Sequence, residues 1–494
     1  MLDCLISNPG ATHGIYGSDL AKSLVAVEQP LWCRLNAGYL IDHGFEVEIL
    51  DAEAVGFGAK QSAKWIVDRA PRLVVIAVYG HQPSASTQQM VGAGALATEI
   101  RALNRDQKII MIGNHPSALP VRTLEEEDVD YVCDGEGPRT IEGLLNGDPL
   151  KDIPGLVYWD GPEQAIACND RAALLDLDKD LHGDVWHLLD MKKYRAHNWQ
   201  CLSDQRRRQP YAAIYTSLGC SYKCEFCMIN VFQHTNRYRM RSPNAVVDEM
   251  VRLYCDHGVR TFKFIDELFV LNKRHCTAIC EGIITAGMAD NISIWCYSRT
   301  DTFDPAMLPL FRRAGFDWFA LGIESGSAEV RADSRKGMKG DDIVGQVRMI
   351  EAAGINVIGN YIFGLENDTI ETMRETLSLA MYLNTDWANF YSAMAYPGAP
   401  LHDKAVERGL ALPEDTVGWA GYSQHAYECL PLGTSTLTPA EVLRFRDDAF
   451  QAYFTGKRYQ SKVYEKFGPA ALSHVRNMAT YKLPRQILGD PRRA

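Results

Sequence analysis

Three cysteines, Cys220, Cys224 and Cys227, sit close together in the run Thr216-Ser217-Leu218-Gly219-Cys220-Ser221-Tyr222-Lys223-Cys224-Glu225-Phe226-Cys227. Three soft thiolates on one short loop can hold three irons of a [4Fe–4S] cluster and leave the fourth iron without a protein ligand, an open position for chemistry. The same residues also suit zinc, with His234 as a fourth ligand, or a reduced core. A structural zinc site usually brings its ligands as two paired sets; here the fourth ligand is lacking or distant, and a strand-like run, Tyr211 to Ser217, leads into the loop. A cluster is therefore the expected occupant, with Cys220, Cys224 and Cys227 as its ligands and the catalytic centre.

Such a loop needs a rigid frame. From Tyr211 to about Leu401, strand-like runs alternate with helical ones: Ala212–Ser217, Thr261–Ile265, Ile292–Tyr297, Trp318–Ile323, Val357–Phe363 and Ala388–Ala395. Six parallel strands with crossover helices make a partial barrel, which carries reactive groups at the C-terminal ends of its strands. The cysteine loop follows the first of them. Residues 1 to about 145 show the same rhythm, with strands expected at Leu2–Ser7, Glu46–Leu50, Leu73–Val78, Lys108–Ile112 and Val129–Cys133. Each ends in a turn-prone or polar segment: Asn8-Pro9-Gly10, Asp51-Ala52-Glu53, Tyr79-Gly80-His81, Gly113-Asn114-His115 and Asp134-Gly135-Glu136-Gly137. An open α/β sheet binds its ligand outside the carboxyl ends of the strands. One such loop is ordinary turn chemistry, whereas five together suggest a large cofactor. No Gly-x-Gly-x-x-Gly follows the first strand, which speaks against a plain dinucleotide site. Residues 146–205 read as a linker with a short hairpin, Gly155–Trp159 against Gln164–Cys168, and the residues after 400 as mostly helical, notably Pro439–Phe454 and Gln460–Phe467.

The 494 residues carry 51 basic and 62 acidic side chains, a net charge of −11, so nucleic acid has no global electrostatic support as a partner. Thirteen cysteines without regular spacing beyond the triplet fit a reducing compartment. Met1 leads straight into a strand-like run with no basic and apolar leader, and no apolar run approaches the ~18 residues that span a bilayer. A cytoplasmic protein without membrane partners is expected.

The triplet, with Phe226 before its last cysteine, resembles the signature of the radical S-adenosylmethionine (SAM) enzymes. In that family the amino and carboxylate groups of SAM occupy the open iron, and an electron from the cluster cleaves the sulfonium to a 5′-deoxyadenosyl radical. Later strand ends strengthen the resemblance. Asp266 and Glu267, in Phe264-Ile265-Asp266-Glu267-Leu268-Phe269, stand where the family contacts the amino group of SAM, although its commoner form is Gly-Gly-Glu. Arg299, in Tyr297-Ser298-Arg299, is placed to meet the SAM carboxylate or a neighbouring acid. Glu324 and Ser325, in Gly322-Ile323-Glu324-Ser325-Gly326-Ser327, are placed to meet ribose hydroxyls or the methionine end. The run Val357 to Glu366 resembles the segment lying along the adenine, and Tyr396-Pro397-Gly398-Ala399-Pro400-Leu401 the exit of the sixth strand.

An N-terminal doubly wound domain ahead of this loop resembles the cobalamin-dependent (class B) radical SAM enzymes, over roughly residues 1 to 400. The implied fold is α/β. It comprises a Rossmann-like cobalamin-binding domain (1–145), the linker (146–205), a partial (β/α)6 radical SAM barrel (206–400) and a helical cap (401–494). A cobalamin motif Asp-x-His-x-x-Gly is absent, Asp42-His43-Gly44 having the wrong spacing, so no histidine is expected on cobalt from below. Tyr79, Gly80 and His81 are the candidates for flanking the corrin, Gly113, Asn114, Gly135, Glu136 and Gly137 for its nucleotide tail, and Asn8, at the end of the first strand, is a further candidate for binding the cofactor. The resemblance implies methylation of an unactivated carbon, or of phosphorus, in a small molecule, with a [4Fe–4S] cluster, SAM and cobalamin as cofactors and a flavodoxin or ferredoxin as reductant. Oxidation, cyclisation or rearrangement with the same cofactors is the alternative. A tRNA methylthiotransferase is disfavoured because the N-terminal cysteines lack that family's pattern, and a cobalamin-based sensor because no effector module is visible. The segment with Tyr422, Gln424 and His425 is expected to close over the substrate.

Overall fold

The computed structural model describes residues 2–10, 15, 24–80, 82–161, 165–338 and 342–492. His81, one of the candidates beside the corrin, lies outside them.

The first sheet contains β1 (Cys4–Asn8), β2 (Val47–Asp51), β3 (Leu73–Val78), β4 (Lys108–Gly113), β5 (Tyr131–Cys133), β6 (Leu156–Asp160) and β7 (Ala165–Cys168), in the order 2-1-3-4-5-6-7. The first five are parallel. Their near-continuous apolar sequences follow from burial on both faces. Leu73, Val75 and Ala77 of β3 enter one core and Val74, Ile76 and Val78 the other, as the period-2 alternation of a strand requires. The hairpin expected within the linker belongs to this sheet, because β6 pairs antiparallel with β5 and β7 with β6.

The barrel sheet follows with β8 (Tyr211–Ile214), then a small ribbon of β9 (Ser217–Leu218) and β10 (Arg239–Met240). It continues through β11 (Thr261–Phe264), β12 (Ser293–Arg299), β13 (Phe316–Glu324), β14 (Asn356–Phe363) and β15 (Trp387–Ser392). Its six strands are parallel, in the order 8-11-12-13-14-15. Phe264 and Phe316 point to the helical side, among Phe269, Phe311 and Phe319. Trp295 and Trp318, near the starts of β12 and β13, meet Trp199 edge-on at 4.9 and 5.5 Å and close the floor. Toward the mouth the same face carries Tyr297 and Arg299, Gly322, Asn360 and Ile362, and Asn389 and Tyr391, in register across four strands.

The two sheets share one core. Helix Leu31–Asp42, buried from Leu31 to Leu40, lies between them, which is why its sequence has no polar stripe. The preceding segment reaches into the barrel. Glu28 receives Lys263 Nζ at 2.7 Å and the hydroxyl of Tyr211 at 3.2 Å, with all three side chains buried. The Gln29 amide donates to Tyr211 O at 2.7 Å and accepts from Ala213 N at 2.9 Å, along the free edge of β8. Helices Pro439–Thr455, Lys457–Phe467 and Pro469–Ala479 form the expected C-terminal cap. Among the described residues no helix is long and apolar enough to cross a membrane.

Candidate functional site

The cysteine loop is held from several sides. Gly219 has φ +86°, and a Cβ there would collide with the carbonyl oxygen of Arg237, so only glycine fits. Asn230 brackets Cys220, accepting from its N–H at 3.2 Å and donating to its carbonyl at 2.8 Å. Glu225 pairs with Lys404 at 2.7 Å and Arg335 at 3.1 Å. Phe226 packs with Ala395, Leu401 and Leu365, anchoring the loop on the far side of the barrel.

Burial pushes the thiol of Cys220 up to about 11 and that of Cys227 up to about 12, and raises that of Cys224. As free thiols they stay protonated, and iron would displace the protons. The three sulfurs lie within electrostatic reach of one another. Among the described residues no three of His, Cys, Asp and Glu close on a single-ion site. Two thiolates on one tetrahedral zinc stand about 3.8 Å apart; a cluster asks less, since each sulfur meets its own iron. His234, the fourth zinc ligand considered above, is instead paired with Asp134 at 3.3 Å.

The two acids after β11 have different tasks. Asp266 is buried and accepts from Thr216 N at 2.6 Å and from the hydroxyls of Thr216 and Ser217 at 2.5 Å each, so it builds the entry to the cysteine loop. Glu267 accepts from Gly219 N at 3.1 Å and lines a cleft; burial, chiefly, pushes its carboxyl up to about 8. Arg299 takes the neighbouring acid, Asp301, at 2.8 Å. Its guanidinium covers the ring of Tyr222 at 4.1 Å and reaches Cys224 Sγ at 4.0 Å. Glu324 sits at a register shift between β13 and β14 with φ +64° and pairs at 2.7 Å with Lys336. Bulges of this kind commonly re-aim a side chain beside an active site. Ser325 shares a hydrogen bond with Thr376 at 3.1 Å and accepts from Ser327 N, which shapes the turn.

The cleft is lined from one side by Asn8, Tyr79, Gly80 and Asn114 and from the other by Ser217, Leu218, Ile265 and Glu267. It opens at the β1/β3 boundary, where the strand order reverses, the place such sheets use for ligands. Trp32 stacks on Tyr79 at 4.9 Å and Phe232 stands edge-on to Trp32 at 4.8 Å, giving the cleft aromatic walls. Two buried polar atoms here have no partner, Asn114 Oδ1 and the Tyr79 hydroxyl. Buried polar groups are nearly always satisfied, so this cleft is built for a ligand that supplies the missing bonds, and a corrin rimmed by amide side chains fits that need. Asn8 is anchored by Asp51 at 2.8 Å, and Gly80 N donates to Ser86 Oγ at 3.0 Å. Gly113 has φ +137°, and a Cβ there would strike the Val78 carbonyl.

A second cleft is lined by Gly135, Glu136, Gly137, Arg139, Arg171 and Gln233, among others. Gly135 N donates to Ser117 Oγ at 3.1 Å. The carboxylate of Glu136 is engaged by Leu175 N at 3.0 Å and by Arg239, which ties this loop to the barrel. Near the expected substrate cover, Gln424 exchanges two hydrogen bonds with the Ser392 backbone, at 2.9 and 2.8 Å. Burial, chiefly, lowers His425 to about 3 and leaves it neutral.

Sequence reasoning missed Lys336, Asn230, Trp32 and Phe232. Lys336 sits in Arg335-Lys336-Gly337, which reads as a solvated basic run, and the other three carry no local signal.

Residues 214–380 match the model of the Radical SAM superfamily, and residues 17–145 that of the B12 binding domain. An uncharacterized methyltransferase of Pyrococcus horikoshii is 28% identical over 385 residues, which cover 76% of this chain and 78% of that protein. An anaerobic magnesium-protoporphyrin IX monomethyl ester cyclase of Synechocystis is 28% identical over 408 residues, 78% of this chain and 76% of that protein. A solved structure of the radical SAM methyltransferase TsrM from Kitasatospora setae, with cobalamin and a [4Fe–4S] cluster bound, is similar with a TM-score of 0.65 and 21% identity. The match covers 86% of this chain and 85% of that one, a likeness of fold.

Proposed function

This chain belongs to the cobalamin-dependent radical SAM enzymes, and from that premise we propose that it methylates an unactivated carbon, or phosphorus, of a small-molecule or natural-product intermediate. Its cofactors are a [4Fe–4S] cluster, SAM and cobalamin. When bound, they supply a radical able to abstract hydrogen and a methyl group to transfer, which leaves the protein to bind, orient and exclude water.

The observation that carries the proposal is the shared cleft: strand ends of the first domain form one wall and Ser217, Leu218, Ile265 and Glu267, beside the cysteine loop, form the other. A corrin seated on Asn8, Tyr79, Gly80 and Asn114 thus faces the place where a radical is made. Cys220, Cys224 and Cys227 hold the cluster. Glu267 accepts from the amino group of SAM, and Lys336, buried beside the cysteine loop, offers a cation to its carboxylate. Trp32, Tyr79 and Phe232 keep water from the cleft. No acid–base pair is required of the protein. A low-potential one-electron donor, a flavodoxin or ferredoxin, supplies the electron.

Anaerobic reconstitution with iron, sulfide and hydroxocobalamin, followed by methyl-labelled SAM, a reductant and candidate substrates, tests this reading. Label in the product, and loss of 5′-deoxyadenosine with Cys224→Ala, are the expected results. Absence of a four-iron cluster refutes the mechanism. Deoxyadenosine formed with the true substrate, but no label transferred, assigns the chain to oxidation, cyclisation or rearrangement without methyl transfer, the alternative that its relatives named cyclases favour.

A further inference from the structure

Arg299 was expected to meet the SAM carboxylate or a neighbouring acid, and the structure gives it the acid, Asp301. A guanidinium has five N–H groups. Nε donates to Asp301 Oδ1 at 2.8 Å and Nη2 to Asp301 Oδ2 at 3.2 Å, a two-pronged pairing that fixes the plane of the group. Nη2 also donates to Gly337 O at 2.8 Å. Nη1 is left aimed at Cys224 Sγ, 4.0 Å away. The flat face lies on Tyr222, itself within the cysteine loop. Arg299 and Asp301 are almost fully buried, 3% and 5% exposed, so water does little to screen them.

We infer that Arg299 is a positioning residue for the cluster, its Nη1–H donating to Cys224 Sγ and setting how readily the cluster takes an electron. The inference rests on the cluster assigned under the proposed function. Hydrogen bonds to cluster sulfurs and nearby charge are two of the means by which proteins set such potentials. In the reduction, [4Fe–4S]2+ gains one electron from an external donor to give [4Fe–4S]+; no bond breaks and no proton moves. The added negative charge is stabilised by a donor and a cation at the sulfur. Asp301 acts in the opposite sense, because its carboxylate offsets the charge of the guanidinium it orients.

The two residues therefore predict potential shifts of opposite sign. The test is an EPR-monitored redox titration of the reconstituted full-length protein, with dithionite as reductant and no SAM. Arg299→Gln is expected to lower the equilibrium constant for reduction about tenfold, a midpoint about 59 mV more negative for a one-electron couple. Asp301→Asn keeps the guanidinium and removes its counter-charge, and its midpoint is expected to move to more positive values. A residue that only props the loop would move both variants alike or neither, and either result overturns the inference. Should Arg299→Gln fail to retain iron, Asp301→Asn decides alone, an unmoved or more negative midpoint being the refutation. A wild-type chain that forms no cluster sinks the functional reading instead, whereas a cluster with unmoved potentials sinks only this inference.

Discussion

Replacing Asn114 by leucine should strengthen the cofactor-free protein and weaken its hold on cobalamin. Asn114 is 2% exposed, and its Oδ1 is buried without a hydrogen-bond partner. An unsatisfied buried acceptor costs about 1–3 kcal/mol. Leucine, of similar shape, removes that cost at a position that is 2% exposed. The unfolding transition of the cofactor-free chain should therefore rise by about 1 °C per kcal/mol, given ~2.1 cal/mol/K of unfolding entropy per residue over one shared core. If cobalamin supplies the partner of that acceptor, as proposed, the same 1–3 kcal/mol reappears as an affinity about 5- to 150-fold weaker. Tyr79→Phe, which deletes the other orphaned group, should repeat the pattern. Thermal unfolding of the cofactor-free chain and spectrophotometric titration with hydroxocobalamin measure the two effects. An unchanged dissociation constant, or a loss of stability with no gain, refutes the reading of these atoms as a ligand seat.

Lys263→Met should destabilise the protein by about 1.5–3 kcal/mol in denaturant melts, because it removes the buried cation that meets the Glu28 carboxylate and leaves it to His197 at 3.1 Å and the Tyr211 hydroxyl at 3.2 Å; adding Glu28→Leu should recover much of that. Gly219→Ala should abolish cluster assembly while the far-ultraviolet spectrum stays native, since both its φ of +86° and the Arg237 carbonyl oppose a side chain. Burial holds the Glu267 carboxyl at about 8 against 4.5 for the free side chain, so the folded chain keeps a proton between those pH values that the unfolded chain releases. Cofactor-free stability should be highest below about pH 4.5, as far as this group is concerned, and fall by a few kcal/mol as pH rises to about 8. Glu267→Gln should remove that slope in melts across the range, and an unaltered slope would show the carboxyl to be ionised throughout.

The sequence disclosed most where the physics is local. The strand expected at Leu73–Val78 is β3 residue for residue, because a fully buried apolar run is bounded by Arg72 and by Tyr79-Gly80. The barrel strands fell within a few residues of their expected ends; β13 runs longer than expected, by Phe316 and Asp317 at its start and at its end by Glu324, which follows a register shift that no periodicity announces. The place of β6 and β7 in the first sheet depends on pairing with β5, a contact between chain segments that each looked self-sufficient. Long-range polar partners were the least legible. Glu28 and Lys263 are 235 residues apart, and neither residue type nor spacing hints that they meet. At the site, the triplet and the strand-end acids were visible as types. Only geometry separated Asp266, consumed in building the loop, from Glu267, which faces the cleft.

The segment that lays Gln29 along β8 has a consequence for how the molecule can be divided. A six-stranded open barrel ends in a strand whose outer amides and carbonyls are unpaired, a ready template for another chain. Gln29 occupies two of those positions, at Tyr211 O and Ala213 N, and Arg34 reaches the Ala213 carbonyl at 3.3 Å. A barrel severed from residues before 145 would bare that edge and recruit copies of itself. The first domain therefore covers its neighbour's free edge as well as seating a cofactor, and the two halves are not interchangeable modules.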